Sequence, residues 1–267
     1  MAEVAKVGMS AEQSALWRSL IQSRLGMVLP VLQHQLFERR VLDRMSACHL
    51  DMSNYYQRVR QDVVEWQRLA EALVVHETAF FRHSPSYDLV ARHLSHLNRD
   101  VSLWSVGCST GEEAWSLAMT SRRHALKSFK IMATDISEQA LNTARRGVYA
   151  ARRFDQIPDS LRERFSVRLS EHESQIHPTL MSQVSFYRFN LMDVATAPFR
   201  RLDVIFCQNV LIYFKKFDRR DILEALVQRL ELGGILVLGP GEMLDWQHPQ
   251  MRRVDHSGTL AFERVKL

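Results

Sequence analysis

Three short stretches of this chain gather residue types that could hold a charged ligand and act beside it. The first is Gly107-Cys-Ser-Thr-Gly111, followed at once by Glu112 and Glu113. A glycine-rich turn lets a ligand approach the backbone, and a helix starting there presents unpaired N–H groups. Asp135 lies 24 residues beyond Gly111, near the spacing of about 20 at which an acidic residue holds ribose hydroxyls in open α/β sheets. The glycine spacing is not GxGxxG, and two adjacent carboxylates would repel a pyrophosphate. A cationic or phosphate-free nucleoside such as S-adenosylmethionine suits them better; the plain alternative is a tight strand–helix turn without a ligand. The second stretch, Asn209-Val-Leu-Ile-Tyr213, follows a short apolar strand and so faces the same crevice, although an Asn there is often only a turn residue. The third, His76-Glu-Thr-Ala-Phe-Phe-Arg82, reads by itself as a helix with one apolar face and an exposed base.

Other chemistries find less support. The three cysteines, Cys48, Cys108 and Cys207, are odd in number and far apart, which excludes a disulfide framework and any CxxC metal pair. Cys108 has no paired base and reads as a small turn residue, and Cys207 as strand-end packing. The 11 histidines lack metal-ligand spacing; His93 and His96 read as a surface pair, and the 11 methionines as core filling. The net charge is +5 and only six of 35 basic residues are lysines. The arginines alternate with acids and form no basic stripe interleaved with aromatics, so nucleic acid is not an expected partner. No apolar run reaches the roughly 18 residues of a membrane span, and the first residues lack a signal-peptide pattern. A cytoplasmic protein, without membrane insertion and monomeric, is expected.

The elements that would position these residues fall into two textures. Residues 10 to about 75 predict helices only. The first starts at Ser10 with Glu12 and Gln13 behind it and turns Leu16, Trp17, Leu20 and Ile21 inward. The second spans Val31–Met45 with Leu32, Leu36, Val41 and Met45 inward, the third is capped by Ser53, and the fourth covers Val63–Val75. From residue 100 onward strands alternate with helices: strands at Val101–Val106, Phe129–Thr134, Leu202–Cys207 and Ile235–Leu238, helices from Glu112, Ser137 and Phe217. That alternation predicts a parallel sheet with crossover connections. Thr259–Val265 reads as an antiparallel edge strand, and Val148–Phe189 as an insertion.

Taken together, the stretches His76–Arg82, Ser109-Thr-Gly-Glu-Glu113, Ala133-Thr-Asp-Ile-Ser137 with Ala144-Arg-Arg-Gly-Val-Tyr149, Asn190-Leu191 and Phe206–Phe214 resemble, in order and spacing, the chemotaxis-receptor glutamate methyltransferases, the CheR family. The resemblance covers nearly the whole chain. It implies an α/β fold, a Rossmann-like class I S-adenosylmethionine-dependent methyltransferase domain over 76–267. An all-helical receptor-recognition domain over 1–75 precedes it, and a small antiparallel β insertion lies at about 150–188. It further implies esterification of glutamates on the cytoplasmic helical domain of a chemoreceptor, with S-adenosylhomocysteine as product. Carried over by position, Thr78 and Arg82 would contact the methionine end of the cofactor, with His76 beside them. Glu113 belongs to the glycine-loop site, Asp135 would hold the ribose, Asn190 and Leu191 would lie beside the adenine, and Gln208 and Asn209 would complete the pocket. Arg82 and Tyr213 would stand near the transferred methyl. The family usually has Asn at the place of His76 and Arg at that of Gln208, and the counterpart of its β insertion, Phe165 to Ser185, contains no glycine.

In the family the second helix is basic and lies against the receptor, which makes Arg39, Arg40 and Arg44 the expected partner-binding residues. Arg40 and Arg44 stand one turn apart on a common face; the plain alternative pairs these arginines with Glu38 and Asp43 on the surface. Two rival functions stand beside receptor methylation: a methyltransferase for another substrate such as nucleic-acid bases, and a signalling module that binds S-adenosylmethionine without turnover.

Overall fold

The computed structural model describes residues 8–28, 34–124 and 128–266, which separate into two units. One comprises the chain up to Val75 together with Tyr213–Lys216; the other comprises His76–Ile212 and Phe217–Leu267. Among the described residues no helix is long and apolar enough to cross a membrane.

In the helical unit, α1 (Ala11–Leu25) begins with a reciprocal cap: Gln13 N–H donates to the Ser10 hydroxyl, and Ser10 N–H to the Gln13 side chain. Gly26, at φ 71°, ends it in the left-handed region. Trp17, Leu20, Ile21 and Leu25 are buried, with Trp17 stacked on Tyr55 at 5.5 Å. Leu16 is exposed instead, because it falls outside that stripe. Helix α2 (His34–Ala47) buries Phe37 and Val41, and the expected inward Leu36 faces solvent. Val31 and Leu32 of the expected helix lie outside the described residues. Helix α3 (Met52–Gln61) is capped by Asp51 rather than Ser53, Asp51 accepting from the Asn54 N–H at 2.9 Å. Asp62 caps α4 (Val63–Leu73), which stops two residues before the expected Val75 because Val74 turns extended.

The second unit opens with α5 (Ser84–Ser95) and continues β1 (Val101–Val106), α6 (Glu112–His124), β2 (Phe129–Asp135) and α7 (Glu138–Arg146). After the insertion come β6 (Val184–Arg188), β7 (Leu202–Cys207), α10 (Lys216–Val227, its first residue counted with the helical unit), β8 (Leu230–Leu238), β9 (Met251–Arg253) and β10 (Leu260–Arg264). The seven-stranded sheet has the order β6-β2-β1-β7-β8-β10-β9. Its first five strands are parallel, and β10 and β9 are antiparallel additions. The unbroken burial of β7 and the near-unbroken burial of β1 are what a parallel sheet covered on both faces demands. Strand β10 is not the edge strand that its alternation suggested, since β9 pairs outside it.

The insertion holds β3 (Val148–Ala150), α8 (Asp159–Phe165), β4 (Ser166–Arg168), β5 (Glu173–Ile176) and the single turn α9 (Pro178–Met181), its strands ordered β3-β5-β4. It ends earlier than expected: Val184–Arg188 pairs with β2 and so belongs to the main sheet. The β4–β5 turn does without glycine because the Ser170 hydroxyl accepts from the His172 and Glu173 N–H groups, at 3.2 and 3.1 Å. Arg168 closes the same turn by donating to the Ser170 and Glu171 carbonyls.

Candidate active site

Because β1, β2, β6, β7 and β8 run parallel, their carboxyl ends share one edge, where such sheets bind ligands. That edge carries Gly107–Gly111, Asp135, Asn190, Gln208-Asn209 and Gly239–Glu242. The glycine loop is tight: a Cβ on Gly107 would meet Val210 at 2.3 Å, and one on Gly111 would meet Ala144 at 2.6 Å. Phe81, Ser109 and Asn209 hold φ of 48°, 49° and 60°, a left-handed conformation that is costly for a bulky side chain. Such strain, of order 1–3 kcal/mol each, clusters where chemistry needs fixed backbone. All three residues lie in segments singled out from the sequence.

Four carboxylates shape the edge, each in a different way. Asp135 is pinned, accepting from Ser109 N–H at 2.8 Å and Ser137 N–H at 2.9 Å. Glu112 is fully buried, ion-paired with Arg153 Nη1 at 2.6 Å and accepting from the Thr110 hydroxyl at 2.7 Å. The sequence suggested that Glu112 and Glu113 would both face a ligand; only Glu113 keeps some exposure. Burial pushes the Glu113 carboxyl up to about 8, against the Ser105 hydroxyl that donates to it at 2.6 Å. Glu242 and Asp135 add to the rise, and Arg82 opposes it.

Glu242 was not legible as a site residue. It sits in Gly239-Pro-Gly-Glu242, just after β8, and accepts from Gly239 N–H at 2.7 Å. A Cβ at position 239 would lie 2.4 Å from its Oε2 and 3.1 Å from the Asn209 nitrogen, so any other residue there would push the Glu242 carboxylate out of place. Burial raises its carboxyl above the usual range, against the backbone N–H groups of Gly239, Asn209, Ile212 and Leu211 that face it; among the described residues its Oε1 makes no well-aligned hydrogen bond. Its place just beyond the carboxyl end of the strand that holds Ile235–Leu238 is the one sequence signal that could have found it.

The remaining expected residues are placed as follows. His76, half-buried, is the first residue of this unit. The Thr78 carbonyl accepts from Arg153 Nη2 at 2.8 Å. Arg82 is exposed and donates to the Glu77 carbonyl at 3.0 Å. Asn190 accepts from Met192 N–H at 3.1 Å, capping a 3-10 turn that begins at the buried Leu191. Gln208 is buried; its amide donates inward to Ser86 Oγ at 2.8 Å and to the Leu238 carbonyl at 3.0 Å. Ser86 in turn bonds His83 Nδ1 at 2.8 Å. Both N–H donors of Gln208 are thus used inside the protein. Asn209 keeps partial exposure at the edge.

Tyr213 is grouped with the helical unit, where its carbonyl accepts from Val28 N–H at 2.6 Å. The three arginines of α2 part company. Arg39 is exposed, Arg40 donates to the Leu73 carbonyl at 3.2 Å, and Arg44 grips the buried Glu65 through both carboxylate oxygens at 2.7 and 2.8 Å. The surface pairing of Arg44 with Glu38 or Asp43 is therefore replaced by an internal one.

S-adenosylmethionine carries a sulfonium and an ammonium, and the edge fits such a cation. Glu113 and Glu242 form no ion pair among the described residues, and the loop hydroxyl Ser109 Oγ is buried without a partner. The family model for the CheR methyltransferase SAM binding domain matches residues 76–259, and that for the CheR methyltransferase all-alpha domain matches residues 12–74. A chemotaxis protein methyltransferase 2 of Pseudomonas aeruginosa is 34% identical over 228 residues, covering 81% of each chain. The chemotaxis protein methyltransferase of Salmonella typhimurium is 32% identical over 232 residues, 84% of this chain and 81% of its own. A Pseudomonas aeruginosa protein described as "Probable biofilm formation methyltransferase WspC" is 33% identical over 236 residues, 84% of this chain and 55% of its own. Matched along both of its parts, the chain belongs to the CheR methyltransferase family and is an S-adenosylmethionine-dependent methyltransferase.

Proposed function

We propose that this enzyme methylates glutamate carboxylates on the cytoplasmic helical domain of a chemoreceptor, acting in the cytoplasm as a monomer. The observation that carries the reading is the carboxyl edge itself, where a pinned Asp135 and a Glu113 bonded to the Ser105 hydroxyl, with no ion pair among the described residues, border a tight glycine loop. In this reading His76, Thr78, Arg82, Glu113, Asp135, Asn190, Leu191, Gln208 and Asn209 hold the cofactor, Gln208 through its amide oxygen because its N–H groups are used inside. The bound cofactor supplies an electrophilic methyl on a sulfonium.

The substrate glutamate is ionised at neutral pH, its ordinary pKa being about 4.3, so the site needs no general base. The enzyme's task is in-line placement in a site partly cleared of water. Arg82, exposed and free to turn its remaining donors outward, orients the carboxylate without burying an ion pair that would blunt it. Tyr213 supplies a hydroxyl donor. The substrate oxygen aligned by Arg82 and Tyr213 would take the methyl as S-adenosylhomocysteine leaves, so that two opposite charges would vanish together. A water-poor site favours that step over the charged ground state.

The test is incubation with labelled S-adenosylmethionine and receptor cytoplasmic fragments, followed by mild alkali. Methyl esters release volatile methanol; label on receptor that survives alkali, or label on DNA, sinks the reading. A second reading, cofactor binding without turnover, draws on Gln208, which stands where the family usually has Arg and spends both amide N–H donors inside the protein. Calorimetric binding with no label on any receptor would favour it.

A further inference from the structure

The insertion reaches the edge at two points, both through one short segment. Tyr149, in β3, donates its hydroxyl to the Thr110 carbonyl at 2.7 Å and accepts from Trp115 Nε1 at 3.0 Å. Four residues on, in the 3-10 turn Ala151–Gln156, the Arg153 guanidinium splits its nitrogens between two walls of the edge. Nη1 forms an ion pair at 2.6 Å with Glu112, the residue that opens α6 directly after the glycine loop, and Nη2 donates to the Thr78 carbonyl at 2.8 Å. Between them Phe154 packs on Phe80 with ring centroids 5.2 Å apart. The His76–Arg82 stretch and the glycine loop are thus held by the same six residues of chain, Tyr149 to Phe154.

We propose that Arg153 is a positioning residue for methyl transfer, setting the distance between the Thr78 backbone and the glycine loop from within the insertion. This rests on the reading of that edge as the cofactor site. A planar guanidinium can serve two acceptors at fixed angles, whereas a lysine ammonium is a point charge on a flexible stem. Glu112 is fully buried, and a buried carboxylate without its cation is strongly destabilising. Arg153→Met alone could therefore unfold the protein for a merely structural reason. Arg153→Lys keeps a charge near Glu112 but cannot hold Thr78 as well, and the pair Arg153→Met with Glu112→Gln removes charge and partner together.

The measurements are thermal unfolding, calorimetric S-adenosylmethionine affinity, and KM and kcat for cofactor and receptor. Expected for both the lysine variant and the double variant is a folded protein with cofactor Kd and KM raised about tenfold. The KM for receptor should stay unchanged. Folded variants that bind the cofactor as tightly as the wild type overturn the proposal, as does a loss confined to thermal stability. If the wild type binds S-adenosylmethionine but methylates no receptor, the substrate reading fails while the calorimetric comparison still decides the role of Arg153.

Discussion

At neutral pH the Glu113 carboxyl, raised by burial to about 8, holds a proton that an exposed glutamate has already released. Between its ordinary value of 4.5 and about 8 the folded chain binds more protons here than the unfolded one. Stability of the ligand-free protein therefore falls as pH rises through that window, the unfavourable term being complete above it. A cationic cofactor favours the ionised form, so binding expels the proton. Affinity for S-adenosylmethionine should rise from pH 6 to 8, by at most about tenfold per unit, and level off above. Titration calorimetry in buffers of different ionisation heat reads both the affinity and the released proton; Glu113→Gln should flatten the profile. Asp135 calls for a gentler change than alanine, because its two oxygens also tie Ser109 and Ser137. Asp135→Asn keeps one acceptor and should weaken the cofactor roughly tenfold to a hundredfold, the worth of a charge-assisted hydrogen bond of about 1.5–3 kcal/mol. An unchanged affinity in the folded variant would remove Asp135 from the site.

Helix α2 shows how an element can redirect residues that a sequence marks for a partner. Arg40 and Arg44 do lie one turn apart, yet Arg44 closes an internal cluster with Glu65, whose carboxylate also accepts from the Tyr55 hydroxyl at 3.0 Å. Burial and the Glu65 charge push that phenol well above its ordinary range. Arg44→Ala leaves the buried Glu65 with only the Tyr55 hydroxyl and a more distant Arg68 at 3.9 Å, and should cost up to about 3 kcal/mol in denaturant unfolding. Arg39→Glu should leave stability within about 0.5 kcal/mol and raise the KM for receptor if this face docks. Equal behaviour of the two variants would contradict the division of roles. The glycine loop, Asp135 and the strands that end at them were legible because their chemistry is written within a few residues and their periodicity is local. Glu242, Arg153 and the Arg44–Glu65 pair were not, since each depends on a partner distant in sequence, and a charge alternating with its opposite looks like solvated surface. The early end of the insertion was hidden for a related reason: β6, half-exposed at the sheet edge, lacks the apolar run that announces β7.

For the molecule as a whole, the boundary at residue 75 is only one of the places where the chain changes unit. Tyr213–Lys216 returns to the helical unit, where Phe214 is nearly buried and bridges to Met27, and Val28 N–H donates to the Tyr213 carbonyl. In the full chain, Tyr213→Phe should keep the fold and cofactor affinity while lowering kcat, since one donor hydroxyl is lost. A fragment of residues 76–267 should still bind S-adenosylmethionine but lose more turnover than Tyr213→Phe, because the backbone that carries the tyrosine loses its anchor. A fragment with full turnover would show that Met27 and Val28 do not matter to it. The same arrangement bears on how such proteins can be recombined. A genetic crossover at residue 75 would exchange the helices and leave behind the four residues that complete them; the main-chain pairings of Val28 with Tyr213 and of Met27 with Phe214 should survive any exchange, so chimaeras joined there should fail only where the buried Met27 and Phe214 side chains no longer fit.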